Sequence, residues 1–314
     1  MRISNNMMTN NYLYSLNNAL ERQTKIQEQL DDGKAIHRPS DDPIKSIRAL
    51  RFHTNLGMNE QYTQNVKDAT SWMETTDGAL QDISSITTRA KELVIQSIAP
   101  NPSIGFEAIG KEIDGIINQL VQVGNTKLGD RYVFAGQKDK TEPFQVTKAN
   151  GLVASVAYQG DTNKISMPLQ PGLADPSKDS VNLTGVDVFG PVVTLPDGAK
   201  SITFLNDLIT IRDKLLTGNP DLSYLSNTGL ANIENGRDTT LRSHTTLGAR
   251  MATYEMTQSL LEGQNIIITG DVANNEDIDV SKTLIDFTTS ENVYKAALAI
   301  GARIMPPSLV DFLR

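Results

Sequence analysis

Residues 62–94 read YTQNVKDATSWMETTDGALQDISSITTRAKELV, and apolar or small residues recur in this stretch at alternating spacings of four and three. This spacing is typical of a helix that packs along a second helix through a heptad seam. No proline interrupts the pattern, and Gly78 lies beside the repeating positions. The stretch therefore predicts one long helix with a buried seam. The seam residues are Tyr62, Val66, Ala69, Met73, Thr76, Leu80, Ile83, Thr87, Ala90 and Val94.

Similar spacing occurs towards both ends of the chain. Residues 281–304, SKTLIDFTTSENVYKAALAIGARI, form a further helical stretch near the C-terminal end. Long helices are therefore predicted in both terminal arms. The weaker N-terminal seam consists of Tyr12, Leu16, Ala19, Gln23, Ile26 and Leu30. The seam beyond residue 230 consists of Thr240, His244, Leu247, Met251, Tyr254, Gln258 and Leu261.

The middle of the chain, between residues 138 and 200, differs in composition. It is rich in Gly, Pro, Asp and Asn, and its short β-favouring runs are LVASVAY (152–158), ISMPL (165–169) and VVTL (192–195). Turn-forming residues separate these runs, which favours a small β-domain. A helical piece at 203–218 leads back into the C-terminal arm. The predicted fold is mainly α with a β insert: the N- and C-terminal arms form a long antiparallel helical coiled-coil rod, and a small β-domain lies at the centre of the sequence.

The stretch GKAIHRPSDDPIKSIRAL, residues 33–50, contains two adjacent carboxylates between two prolines. Pro39 disfavours a helical conformation at Arg38. Asp42 then occupies an N-cap position, and Pro43 occupies the first helical position, where its missing N–H costs nothing. The stretch therefore predicts a joint between two helices. A catalytic acid pair would need a pocket and differently tuned partners, and no neighbouring residue type provides either.

Other candidate chemistry in the sequence is weak. The stretch GFEAIGKE (105–112) resembles a phosphate-binding loop, but Glu112 replaces the required hydroxyl and no strand precedes it, so we interpret it as a helix start. Asn275, Asp277 and Asp279 have calcium-loop spacing, but Val280 replaces the required glycine. Capping of a helix by Asp279 is the preferred interpretation. The three histidines (His37, His53 and His244) share no metal-ligand spacing.

The composition excludes several classes of protein. The net charge of -8 disfavours binding to a nucleic-acid backbone. No stretch approaches the roughly 18 apolar residues of a membrane span, and the N-terminal residues lack the apolar core of a cleavable secretory signal. The absence of cysteine excludes disulfides and thiolate metal sites. Taken alone, these features predict a cytoplasmic protein with no catalytic, cofactor-binding or metal site.

Four motifs in sequence order resemble the bacterial flagellin family. They are the joint stretch at 33–50, TTDGALQDISSITTRAKELVIQS (75–97), GDRYVFAGQKDKTEPF (129–144) and NVYKAALAIGARIMPPSLVDFLR (292–314). The resemblance covers roughly residues 1–145 and 200–314, and within the family it is strongest to the subunits of the hook-filament junction. It implies a structural adaptor that self-assembles into a ring between the hook-side junction protein (hook-associated protein 1) and flagellin, and that supports filament assembly and motility.

The resemblance also implies a location and a domain plan. Members of the family are secreted through the flagellar type III export channel, with the help of an export chaperone, and become part of the extracellular flagellum. Their terminal segments form an inner coiled-coil layer, with a helical rod domain and a variable domain outside it. On this plan, residues 1–42 with 281–314 form the inner domain, 43–137 with 201–280 form the rod, and 138–200 form the insert.

Two sets of residues are predicted to serve this assembly. By resemblance, the joint motif marks the transition from the inner domain to the rod. Its residues are Arg38, Pro39, Ser40, Asp41, Asp42 and Pro43. Assembly contacts are predicted along the N-terminal seam and in the apolar tail that Pro306-Pro307 separates from the preceding helix. These residues are Tyr12, Leu16, Ala19, Ile26, Leu30, Leu309, Val310, Phe312 and Leu313.

Three alternatives to a junction adaptor remain. The chain could be flagellin itself, the filament subunit, although the joint motif and the tail argue against this. A non-flagellar coiled-coil binding module would explain the heptads but not the β insert or the order of the motifs. An enzyme is the least favoured class, because no nucleophile, metal cluster or phosphate loop emerges from the sequence.

Overall fold

The computed structural model describes residues 2–99, 105–169, 180–194, 200–217 and 220–304. The elements, in chain order, are α1 (Arg2–Asp32), α2 (Pro43–Ile98), α3 (Phe106–Gly124), β1 (Lys127–Leu128), β2 (Arg131–Tyr132), β3 (Phe144–Ala149), β4 (Leu152–Tyr158), α4 (Gly185–Phe189), β5 (Val192–Thr194), β6 (Lys200–Ile202), α5 (Thr203–Leu216), α6 (Leu222–Tyr224), a π-helical turn (Leu225–Gly229), α7 (Leu230–Glu276) and α8 (Val280–Ile304). The mainly α fold with a central β region confirms the predicted fold class.

Contacts within the chain divide it into two compact units. Unit 1 comprises Met1–Asn59 and Gly263–Arg314, and unit 2 comprises Glu60–Glu262. The long helices α2 and α7 each contribute residues to both units. The three-domain plan, with boundaries near residues 42 and 280, remains a prediction.

The heptad seam of α2 forms the core of unit 2, as its spacing predicts. Every seam residue from Val66 to Val94 is buried, and Tyr62 packs against the same core. The α7 seam is buried at Thr240, Leu247, Tyr254 and Leu261. The two helices run antiparallel, because Asp77 lies 2.8 Å from His244 whereas Lys91 lies 2.8 Å from Glu234.

The β region consists of two-stranded antiparallel pairs. The longest is the β3–β4 hairpin, in which Ala149 pairs with Leu152. Its two-residue turn uses Asn150 and Gly151 with φ angles of 54° and 82°, as the tight turn requires. The inward-facing side chains, including Phe144 and Val156, belong to the same hydrophobic core as the helices of unit 2.

One local prediction in this region requires correction, and one short element was not predicted. The run at 165–169 is not a strand: it forms only an isolated bridge between Ser166 and Ser180, and the amide of Ile165 donates to the side chain of Asn182 rather than to the backbone. The sequence analysis also missed the short helix α4, which begins with a reciprocal capping box between Thr184 and Asp187.

The predicted helix starts are confirmed. Helix α3 begins at Phe106 directly after Gly105, so the phosphate-loop-like stretch is a helix start. Asp279 caps α8, accepting a hydrogen bond from the Lys282 amide over 3.1 Å. Among the described residues, no helix has both the length and the apolar character that crossing a bilayer requires.

In unit 1, α1 packs against α8. The hydroxyl of Tyr12 donates to the carbonyl oxygen of Ala297 over 2.8 Å. Further along α1, Ile26 lines a cavity together with Asp286 of α8, so the two helices run antiparallel. None of the hydrophobic side chains described in unit 1 is fully buried, in contrast to the extensive buried core of unit 2.

Candidate assembly surfaces and the joint between the helices

The joint between α1 and α2 contains the helix cap that the sequence predicts. Helix α1 ends at Asp32, and Gly33 follows with a φ of 75°, a conformation that favours glycine. At the start of α2, Oδ1 of Asp42 accepts hydrogen bonds from the amides of Ile44 and Lys45, each over 3.0 Å. These bonds satisfy two of the free amides in the first turn of the helix.

Asp41 has a different set of partners from Asp42. Its Oδ2 accepts from the amides of Arg38 and His37 over 3.1 and 3.3 Å, and its Oδ1 lies 2.7 Å from Nζ of Lys25 in α1. The hydrogen bond from Lys25, supported by the backbone amides, lowers the pKa of Asp41 to about 2. The two adjacent carboxylates therefore stabilise separate parts of the joint.

The joint is bound to the turn between α7 and α8, a contact that sequence reasoning missed. The amide of Ala35 donates to the carbonyl oxygen of Glu276 over 2.6 Å, and the amide of Ile278 donates to the carbonyl oxygen of Gly33 over 3.0 Å. The side chain of Asn275 also donates to the carbonyl oxygen of Lys45 over 3.0 Å. The points at which the two arms of unit 1 change direction are thus held together by backbone hydrogen bonds.

A buried carboxylate lies beside these bonds. The side chain of Glu276 is only 8% exposed, and its Oε1 lies 2.7 Å from Nε2 of His53. Its Oε2 lies 3.6 Å from Nζ of Lys34 in the joint. Lys34 is the cation that offsets part of the desolvation of this carboxylate, because Oε1 accepts no hydrogen bond from the described residues.

The imidazole ring of each histidine lies beside one carboxylate of the described residues. His53 lies beside Glu276, Nε2 of His37 lies 2.8 Å from Asp32, and His244 lies beside Asp77. Within the described ranges, no group of three or more His, Asp or Glu side chains is arranged to hold a metal ion.

The predicted N-terminal contact residues lie on the side of α1 that packs within the chain. Tyr12 bonds to α8, and Ala19 and Ile26 line a cavity with residues of α8. All five are half-buried: Tyr12, Leu16, Ala19, Ile26 and Leu30. Their role in contacts between subunits therefore remains a prediction. The predicted tail residues Leu309, Val310, Phe312 and Leu313 lie outside the described residues.

The exposed apolar surface of unit 1 is made of other residues. On α1 it includes Tyr14, which is 70% exposed, and on α2 it includes Leu50, which is also 70% exposed. Unit 1 carries most of the large exposed apolar side chains described, although it is the smaller unit. They are Met7, Met8, Leu13, Tyr14, Leu20, Ile44, Ile47, Leu50, Met58, Ile266, Ile267, Val280, Leu284, Ile285, Val293, Leu298 and Ile300.

This distribution separates the two units in physical terms. Unit 2 buries its own apolar residues, whereas unit 1 leaves large apolar side chains on the outer faces of paired helices. Apolar surface of this extent marks a site of interaction with another molecule. Heptad spacing indicates only the seam that the paired helices share, so it does not predict the second, outward set of apolar residues.

Unit 2 contains two further polar features that the sequence analysis did not identify. Arg212 of α5 is 3% exposed, and its Nη1 lies 2.5 Å from Oδ1 of Asp114 in α3. The same carboxylate oxygen accepts from the amide of Val153 in β4 over 3.0 Å, so this pair joins three elements. Elsewhere, burial raises the pKa of Asp207 to about 6, partly offset by a hydrogen bond with Asn232.

The sequence and the fold of the chain are similar to those of known flagellar proteins. Residues 3–139 match the model of the bacterial flagellin N-terminal helical region. The chain is 25% identical to flagellar hook-associated protein 3 of Escherichia coli (strain K12), over 95% of each chain. It is 23% identical to flagellin of Bacillus subtilis (strain 168), over 100% of each chain. Among solved structures, flagellar hook-associated protein 3 from Legionella pneumophila superposes with a TM-score of 0.58, covering 71% of this chain and 97% of that one at 16% identity, which shows a shared fold.

Proposed function

We propose that the chain is a member of the flagellin-like family of flagellar structural proteins and that it is the adaptor between hook and filament. In this role it joins the hook-side junction protein to flagellin, and so supports filament assembly and motility. The observation that carries the proposal is the similarity to flagellar hook-associated protein 3 along 95% of both chains.

The surface of unit 1 supports an assembled state. Its described hydrophobic side chains remain partly or fully exposed, so the isolated unit gains little from burying apolar area. Covering a Leu or Ile side chain is worth about 1.5 to 3 kcal/mol, so neighbouring subunits would stabilise this unit substantially. A ring of copies, in contact with hook-associated protein 1 on one side and flagellin on the other, would provide those neighbours.

The joint has a structural role in this proposal. Arg38, Pro39 and Ser40, followed by Asp41, Asp42 and Pro43, would mark the transition from an inner coiled-coil domain to a rod domain. The hydrogen bonds that hold the joint to the α7–α8 turn support this role, because they connect the residues that follow α1 to the end of α7 and the turn after it. The chain would reach this extracellular position by flagellar type III export, with an export chaperone.

Flagellin itself is the second candidate, because the similarity to the Bacillus subtilis flagellin extends over the full length of both chains. The two functions predict different copy numbers. A filament contains many subunits per flagellum, whereas a junction layer contains few.

Deletion of the gene in the bacterium that carries it tests the proposal. We expect the cells to keep their hooks, lose their filaments and release unpolymerised flagellin into the medium, and we expect the wild-type gene to restore filaments. Immunogold labelling of the complemented cells should mark only the hook end of each filament. Labelling along the whole filament would instead identify the chain as flagellin, and normal filaments in the deletion strain would exclude both functions.

A further inference from the structure

Within unit 1, the outer face of α2 combines apolar and basic side chains. Ile44, Ile47 and Leu50 are 66%, 56% and 70% exposed. Arg48 and Arg51 lie among them, are exposed, and make no ion pair within the part of the chain that the structure describes. The opposite face of this segment is the less exposed one, and at Asn59 it is buried.

The outer face of the end of α7 is apolar and acidic. Ile266 and Ile267 are 74% and 66% exposed. Asp271 is exposed one helical turn further along, and Asp277 is exposed in the turn that follows α7. Neither carboxylate forms an ion pair among the residues described.

The two faces point in opposite directions and lie at matching levels. The side chains of Asn59 and Asn265 are in contact at 3.5 Å, and Asn275 bonds to the backbone of Lys45, so α2 and α7 run antiparallel in unit 1. Met58 therefore lies at the level of Ile266, and the start of α2 lies at the level of Asp271 and Asp277. Because the sides of the two helices that face each other are the more buried ones, their exposed faces point away from each other.

We propose that the outer face of α2, formed by Ile44, Ile47, Leu50, Arg48 and Arg51, docks onto the outer face of α7 in a second copy of this chain. This proposal rests on the proposed function, and it identifies the surfaces by which the copies would join side by side. If neighbouring copies lie at equal height, Met58 of one copy contacts Ile266 of the next. Arg48 and Arg51 of the first copy then lie at the same height as Asp271 of the second.

Charge identifies a second copy as the occupant. The outer face of α2 is basic, and the outer face at the end of α7 is acidic. The two charged regions lie at the same level of unit 1. A contact between two different faces of identical chains is heterologous, and it closes into a ring or continues as a helix. Complementary charges favour this register over a symmetric pairing of like faces, in which arginines would meet arginines.

Cysteine crosslinking tests the contact directly, because the chain has no cysteine of its own. A full-length variant with Met58→Cys and Ile266→Cys would be expressed in the deletion strain, and flagella would be isolated and oxidised. We expect a ladder of covalent dimers, trimers and larger species under non-reducing conditions. Each single variant should give only monomers, and a strain that expresses both single variants should give dimers but no larger species.

The matched control pairs Met58→Cys with Met256→Cys, which is 75% exposed but lies outside the proposed face. It should give only monomers. A second test reverses charge: Arg48→Glu with Arg51→Glu should reduce incorporation into flagella at least tenfold, and Asp271→Lys in the same chain should partly restore it. Reversal of Arg242, an exposed arginine of α7 in unit 2, should leave incorporation unchanged.

The outcomes separate this inference from the proposed function. If the double-cysteine chain is incorporated and supports swimming but yields no ladder, the surface is wrong and the adaptor function stands. Dimers from the Met58→Cys variant alone would show a symmetric contact and would also overturn the inference. If the wild-type chain is absent from isolated flagella, the proposed function fails, and this inference fails with it.

Discussion

The amide of Ala35 donates to the carbonyl oxygen of Glu276 over 2.6 Å, and this bond joins the two arms of the chain where each changes direction. The neighbouring bond from Ile278 to Gly33 completes a short antiparallel bridge. The two bonds therefore restrict how the segment after α1 and the segment after α7 can move relative to each other. The stability of the cap and ion pair beside this bridge can be tested by substitution.

The cap at the start of α2 should contribute measurably to stability. Asp42→Ala removes the acceptor for two amides of the first helical turn, so we expect a loss of about 0.5 to 2 kcal/mol in the free energy of unfolding. Thermal or urea denaturation of the full chain would measure it. Ser40→Ala, in the same joint, is the matched control and should change stability by less than about 0.5 kcal/mol. Equal stability of both variants would show that water replaces the Asp42 cap without cost.

Asp41 should remain ionised in acid to about pH 2. The hydrogen bond from Lys25 is the main cause of its lowered pKa, so Lys25→Met should raise the Asp41 pKa towards its ordinary value of 3.8. A carboxyl titration followed by NMR would measure both values. Because the folded-state pKa is the lower one, the contribution of Asp41 to stability is present above pH 3.8 and is lost as the pH falls through about 2. An unchanged Asp41 pKa in the Lys25 variant would contradict this assignment.

Heptad spacing predicts which residues face a partner helix, and this is the part of the fold that the sequence specifies best. The seam of α2 from Val66 to Val94 is buried as its spacing requires, because the heptad repeat keeps all seam positions on one face of the helix. The N-cap at Asp42 is equally predictable, since it depends only on residues next to it in the chain.

Contacts between distant segments could not be predicted in the same way. The hydrogen bond between Ala35 and Glu276 joins backbone groups, which every residue type except proline provides, so the sequence does not indicate it. The Arg212–Asp114 pair joins α5 to α3 through one polar residue on each helix. Single residues of this kind form no repeating pattern from which the contact could be predicted. The outward apolar residues of unit 1, such as Leu50 and Ile266, lie off the inner seam, so an analysis of one seam per helix passes over them.

Asp207 should make unit 2 less stable as the pH rises. Its pKa is raised by burial from 3.8 to about 6, so the folded state holds a proton that the unfolded state has released. Stability should therefore fall between pH 3.8 and about 6 and then level off. Asp207→Asn keeps the size of the side chain and removes the charge. After allowance for solvent screening, it should add about 1 kcal/mol to the free energy of unfolding at pH 7.

Urea denaturation at several pH values measures this effect. The gain from Asp207→Asn should be absent at pH 3, where the wild-type carboxyl is protonated in both states. Asp213→Asn is not a suitable control, because Asp213 pairs with Arg212. Asp238→Asn at an exposed position of α7 serves instead as the control for the change from a carboxylate to an amide. A gain of equal size at both pH values would assign the effect to packing rather than to ionisation.

The buried pair of Asp114 and Arg212 should be costly to break from one side. Asp114→Ala removes the acceptor of the Val153 amide and one acceptor of the Arg212 guanidinium, which keeps its ion pair with Asp213, so we expect a loss of about 1 to 3 kcal/mol in the free energy of unfolding. The double variant with Arg212→Met also removes the buried guanidinium that has lost one of its acceptors, and it should recover part of that loss. Denaturation of the single and double variants would measure the coupling. Strictly additive losses would show that the two side chains do not depend on each other.

The C-terminal tail provides the last test, and its expectation comes from the sequence alone. Leu309, Val310, Phe312 and Leu313 follow two prolines that disfavour a continued helix. A segment this short cannot bury its own apolar side chains, so we expect another subunit to cover them. Phe312→Asp should then leave the free energy of unfolding of the monomer within about 0.5 kcal/mol of wild type, while the cells release unpolymerised flagellin. Arg314→Asp, at the end of the same tail, controls for the added negative charge and should preserve filaments. A strongly destabilised monomer that still builds complete filaments would show instead that the tail folds back onto its own chain.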